Sequence, residues 1–153
     1  MVKVNESTVL MDVEANDCHD VILMLADVLH QQGYVIEDYG RQTCIREELH
    51  PTGLPTKPFC IAFPHADCEG VIESALGLAL LKQPVGFQNM ADSDETLQVE
   101  IVIMLANADP AEQIHVLRKL ALLFGDGDKL VDLRAQTSPE NAVVWLKREL
   151  SLD

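Results

Sequence analysis

The sequence has 153 residues, 48% of them hydrophobic, which is enough for one buried core and too few for two, so residues 1–153 are read as a single domain. Asp and Glu number 25 against 11 Lys and Arg, and the resulting net charge of -14 repels nucleic acid and anionic membrane surfaces as partners. The same field opposes a bound phosphate, so any phosphate site must bring its own local donors.

The first segment, MVKVNESTVLMDVEAND, lacks the charged and apolar regions and the small-residue cleavage site of an export signal, and a cytoplasmic location is expected. Asn16 and Asp17 can cap a helix whose apolar positions Val21, Leu25, Val28 and Leu29 lie on one face, with Gly33 closing it. A second, shorter helix is expected over 38–49, ended by the Pro51-Thr52-Gly53-Leu54-Pro55 loop. Phe59 to Phe63 then reads as a short buried strand, stopped by Pro64, that delivers His65 at its carboxyl end.

The apolar runs Ala75–Leu81 and Val99–Leu105 read as central strands covered on both faces. Neither run reaches the roughly 20 apolar residues that span a bilayer, so no direct membrane insertion is expected. Asp109, Pro110 and Glu112 supply a cap, a first-turn proline and a capping-box acid for a helix with Ile114, Leu117, Ala121 and Phe124 on one side. Ser138, Pro139 and Glu140 open a last helix striped with Ala142, Val143, Leu146 and Leu150. Trp145 on that helix is read as packed or half-exposed. The alternation of strands and helices predicts an α/β fold, a three-layer α/β/α arrangement with a central mixed, mainly parallel sheet flanked by helices. Ligands in such folds bind outside the carboxyl ends of strands.

His65 is the first candidate for chemistry, because a strand end presents it and a neutral imidazole is a good nucleophile near pH 7. Its second nitrogen needs a hydrogen-bond acceptor, either Asp67 or a backbone carbonyl. Cys18, Cys44, Cys60 and Cys68 contain no CxxC pair, which argues against a zinc knuckle or a dithiol redox site. Cys68 is read as a small filler, since three residues within one extended segment rarely reach the geometry of a thiol, its base and an orienting acid. No metal or organic cofactor is implied.

Arg46-Glu47-Glu48-Leu49-His50-Pro51-Thr52-Gly53-Leu54 and the following Ala62-Phe63-Pro64-His65 resemble the R-E-x-x-x-P-T-x-L and A-x-P-H segments of the fructose/mannitol-type enzyme IIA family of the sugar phosphotransferase system. The resemblance extends through Gln83 to Phe87, Val99 to Leu105 and Asp109 to Leu120. It implies that His65 takes a phosphoryl group from phosphohistidine on HPr and passes it to the cysteine of a IIB component. The family pattern places Arg46 at the site, where its planar fork suits phosphate; the alternative for Arg46 is an ion pair with a neighbouring glutamate.

Mannitol-type members carry a second histidine in the helix after the last central strand, and Gln113 falls at that position here. His115, two residues on, lies about 200° away around a helix and cannot substitute, but the Gln113 amide can donate to a phosphoryl oxygen. Pro51-Thr52-Gly53-Leu54-Pro55, the D-P-x-x-Q sequence from Asp109 to Gln113 and the absence of the second histidine resemble the galactitol-type branch most, with a transport role in a stand-alone subunit. The competing expectation is a regulatory protein of the same fold whose phosphorylation state controls a binding partner. For docking, Phe63, Leu54 and Phe87 are the apolar candidates around His65, with core packing as the competing role for each.

Overall fold

A computed structural model describes residues 1–153, the side chain of Glu112 excepted. The capping-box role expected of Glu112 therefore lies outside the described residues. The strands are β1 (Val9–Val13), β2 (Gly53–Leu54), β3 (Cys60–Ala62), β4 (Ala75–Asn89) and β5 (Asp92–Ala106). The helices are α1 (Cys18–Gln31), α2 (Tyr39–Leu49), α3 (Ile114–Phe124), α4 (Gly127–Arg134) and α5 (Pro139–Leu150).

Alternation along β4 and β5 builds two cores. Leu76, Leu78, Leu80, Ile101, Ile103 and Leu105 face α3, α4 and α5. Ala75, Ala79, Leu81, Val102, Met104 and Ala106 face α1 and α2. The result is the expected three-layer arrangement. α1 begins at Asp17, whose side chain accepts from the Asp20 N–H, and ends before Gly33, whose φ of 81° lies where only glycine is unstrained. α5 begins at Ser138 in the same way and buries Ala142, Val143, Leu146 and Leu150. Trp145 is also buried there, with its indole N–H donating to Asp132 at 2.6 Å.

The sheet is mixed. β1 and β4, β2 and β4, and β3 and β5 pair in parallel, whereas β2 and β3 pair antiparallel. The longest ladder is the antiparallel one between β4 and β5, joined by a turn at Met90–Ala91. The two apolar runs are thus arms of one hairpin, and each strand is longer than its run. An exposed irregularity at Lys82–Pro84 interrupts β4, and the outer half of β5 from Asp92 to Thr96 is exposed, so hydropathy marked only the doubly covered halves. β4, β2, β3 and β5 close into a hydrogen-bonded ring at the hairpin end. Gly53 makes that closure possible, because a Cβ there would lie 2.5 Å from the Gln88 carbonyl oxygen.

Two helical expectations need correction. Asp109 caps a 3-10 turn over Pro110–Gln113, and the α-helix starts only at Ile114. That helix buries Val116, Leu120 and Leu123 and exposes Ile114 and Leu117, so the buried face is not the expected one. Apolar residues surround α3, and its periodicity alone offered two faces. β1, β2 and α4 lie where no element was expected.

Candidate functional site

The site forms where α2, the loop after β3, the hairpin turn and the end of β5 meet. His65 lies three residues beyond β3, half-buried, with Nδ1 3.0 Å from the Phe63 carbonyl oxygen. A carbonyl only accepts, so in the neutral ring the proton is on Nδ1 and the lone pair on Nε2. The backbone carbonyl is thus the acceptor, and Asp67 is not. The imidazole also packs against the Phe63 ring at 5.7 Å between centroids, and Phe63 in turn meets Phe124 edge-on at 5.6 Å.

Asp67 turns instead to Arg46, with Oδ1 3.3 Å from Nη1. Arg46 forms no ion pair with a neighbouring glutamate: Glu47 bonds Thr52, and Glu48 pairs with His19. At 74% exposure for Asp67 and 37% for Arg46, their pair is a weak surface contact that an incoming anion can displace. The Arg46 Nε is buried with no hydrogen-bond partner among the described residues.

Two buried side chains hold the segments that carry these groups. Glu47, 6% exposed, accepts from the Thr52 N–H at 2.8 Å and from the Thr52 hydroxyl at 2.7 Å. The Phe63 N–H donates back to the Thr52 carbonyl and hydroxyl oxygens, each at 3.3 Å. A chain of contacts therefore runs from Glu47 through Thr52 to Phe63, the residue whose carbonyl fixes His65. Burial pushes the Glu47 carboxyl above the usual carboxylate range, although the two Thr52 bonds and the nearby His19 oppose the shift. Tyr39, fully buried, accepts from the Ala66 N–H at 3.2 Å through its hydroxyl, and burial raises its pKa.

His65 and Arg46 line two adjoining depressions. One, of about 570 Å³, also carries Leu49, His50, Pro51, Thr52, Met90, Ala91 and Ser93. The other, of about 370 Å³, carries Ala66 to Glu69, Leu105, Asn107 and Pro110. Gln113 lines neither. It is buried at the junction of the 3-10 turn and α3, beside Val2, Val116 and Leu150, so the amide expected at the site lies elsewhere. Its predicted register assumed one continuous α-helix from Asp109. Of the three expected docking residues, Phe87 is core at 1% exposure, whereas Leu54 and Phe63 are half-buried. The exposed apolar side chains beside His65 are Leu49 and Met90, at 70% and 52%.

Sequence reasoning missed Glu47, Thr52, Tyr39, His50 and Asn107 as parts of this site. Asn107 follows directly on β5, where the strand-end rule looks, and its Oδ1 is buried without a partner among the described residues. Tyr39 gave no signal, because only the fold brings it to Ala66.

An imidazole with one nitrogen held as a donor and the other free, beside a guanidinium, is suited to carrying a phosphoryl group. The chain belongs to the family described as phosphoenolpyruvate-dependent sugar phosphotransferase system, EIIA 2, whose model matches residues 3–148. Members of that family transfer phosphoryl groups through a phosphohistidine. The galactitol-specific EIIA component of Escherichia coli K12 is 30% identical over 109 residues, 71% of this chain and 70% of that protein. The transcriptional regulator ManR of Bacillus subtilis is 33% identical over 98 residues, 64% of this chain but only 14% of ManR. The fold matches that of the Escherichia coli complex of enzyme IIA-Mtl and phosphorylated enzyme IIB-Mtl, with a TM-score of 0.73 and 21% identity, covering 99% of both chains. Among the described residues no helix is long and apolar enough to cross a membrane.

Proposed function

We propose that this chain is a cytoplasmic phosphocarrier of a sugar phosphotransferase system, accepting a phosphoryl group from phospho-HPr on His65 and donating it to the cysteine of a IIB component. The observation that carries the proposal is the Nδ1 contact to the Phe63 carbonyl, which leaves Nε2 as the nucleophile next to Arg46. The Nε2 lone pair forms the new N–P bond as the donor's N–P bond breaks, and the leaving imidazole keeps that electron pair. The proton stays on Nδ1, hydrogen-bonded to the Phe63 carbonyl, so His65 itself releases no proton. Such transfer depends on in-line positioning and on donors around the equatorial oxygens, and Arg46, which lines both depressions with His65, supplies a guanidinium fork for them. Asp67 holds that fork in place until the phosphoryl group arrives.

A polyol such as galactitol is the acceptor class suggested by the galactitol-specific relative. The test is incubation with phosphoenolpyruvate, enzyme I and HPr, followed by mass spectrometry under non-acidic conditions. One acid-labile phosphoryl group is expected on the wild type and none on His65→Ala; folded wild type that takes no phosphoryl group refutes the proposal. The similarity to ManR favours a second reading, in which phosphorylation of His65 regulates a bound partner. Phosphorylated protein that never passes its group to any IIB component would support it.

A further inference from the structure

The two depressions that meet at His65 and Arg46 differ in charge. Asp67 and Glu69 line the smaller one. Among the described residues no carboxylate lines the larger, and it presents Arg46, His50, Thr52 and Ser93 along with His65. A phosphoryl group on nitrogen is doubly charged near neutral pH, so the two sides are not equivalent resting places.

The position of His50 follows from the end of α2. Its backbone N–H closes the helix on the Arg46 carbonyl, and its own φ of -136° takes the chain out of the helix towards Pro51. His50 is exposed and lines this depression together with His65, one helical turn beyond Arg46; its other side borders a neighbouring hollow that holds Asp67 and Glu69 but not His65. His50 makes no side-chain hydrogen bond among the described residues, whereas His19 pairs with Glu48 and His30 contacts the Val35 carbonyl.

We infer that His50 is a second catalytic donor: its imidazole N–H bonds the phosphoryl group carried by His65, which rests in the depression between α2 and the β4–β5 turn and not beside Asp67 and Glu69. The inference rests on the phosphocarrier reading. His50 supplies on this wall the donor that Gln113, buried elsewhere, does not.

The experiment compares wild type, His50→Ala, His50→Gln and Glu69→Gln, each phosphorylated by phosphoenolpyruvate, enzyme I and HPr. Two readouts are taken, the kinetics of phosphoryl acceptance and the 31P resonance of the phosphohistidine. His50→Ala should lower kcat by about 10-fold, less than the loss of a buried preorganised donor, with little change in the KM for phospho-HPr. It should also move the 31P resonance, and His50→Gln, which keeps a donor, should recover part of both. Glu69→Gln should leave the resonance in place. A His50→Ala protein with wild-type kcat and resonance overturns the inference, as does a resonance that moves as far in Glu69→Gln as in His50→Ala. Wild type that is not phosphorylated on His65 removes the carrier reading itself; normal phosphorylation of His65 with either overturning result removes only the role of His50.

Discussion

Glu47 is a buried carboxylate whose two hydrogen bonds hold the loop that braces His65, so its removal should be felt in stability and in transfer. Hydrogen bonds to a charged group contribute about 1.5–3 kcal/mol each, and an orphaned buried donor costs ~1–3 kcal/mol; against these, removal relieves the desolvation of the charge. The net loss for Glu47→Ala is therefore about 2–4 kcal/mol. In a domain of this size each kcal/mol shifts Tm by roughly 2–4 °C, giving a fall on the order of 10 °C by calorimetry. Glu47→Gln separates shape from charge. Its amide oxygen can accept from the Thr52 N–H and its NH2 group can donate to the Thr52 hydroxyl, so it should stay within about 1 kcal/mol of wild type. Because burial raises the Glu47 pKa, the folded state binds the proton more tightly than the unfolded chain. Stability from this group is then greatest at low pH and falls as pH rises through 4.5, the ordinary value, towards the raised one. Glu47→Gln should remove that slope and compare best with wild type at neutral pH. A Glu47→Ala protein melting within about 1 °C of wild type would refute the reasoning, as would Glu47→Gln melting as low as Glu47→Ala.

Arg46→Lys replaces a fork by a point charge and should slow phosphoryl acceptance by about 10-fold, near 1.4 kcal/mol of transition-state stabilisation, in stopped-flow transfer from phospho-HPr. Tyr39→Phe removes the acceptor of the Ala66 N–H and should cost about 1 kcal/mol in denaturant unfolding. Burial first, then Glu47 for Cys18 and Cys18 for Cys44, push both thiols up to about 11. At pH 8 only ~0.1% of each is thiolate, so mass mapping after brief iodoacetamide treatment should find exposed Cys68 alkylated well before either.

The layers of the fold were legible in the sequence because the strongest periodic segments, α1 and α5, carry both caps and stripes. The sheet was legible only where both faces are covered, so the two halves of a hairpin read as separate strands and β1, with an exposed Asp12 after half-buried Leu10 and Met11, went unread. His65 and Arg46 could be singled out as candidates because each sits on a local motif. Glu47 belongs to the same motif, but its role needs Thr52 and Phe63 in place, and those contacts exist only after β2 and β3 have paired. Gln113 failed for the converse reason: one 3-10 turn before α3 changes where its side chain goes.

The hairpin turn at Met90–Ala91 is one wall of the larger depression, while Gly53, just beyond Thr52 on the opposite wall, accepts from the Met90 N–H at 2.8 Å. One wall is therefore the end of the longest ladder of the sheet, whose other end lies in the centre of the protein, and the other wall is hydrogen-bonded to it. The capacity to take up phosphate and the integrity of the core form one cooperative unit. Competence for transfer should disappear along the same denaturation curve as the sheet, which makes phosphorylation itself a reporter of global folding.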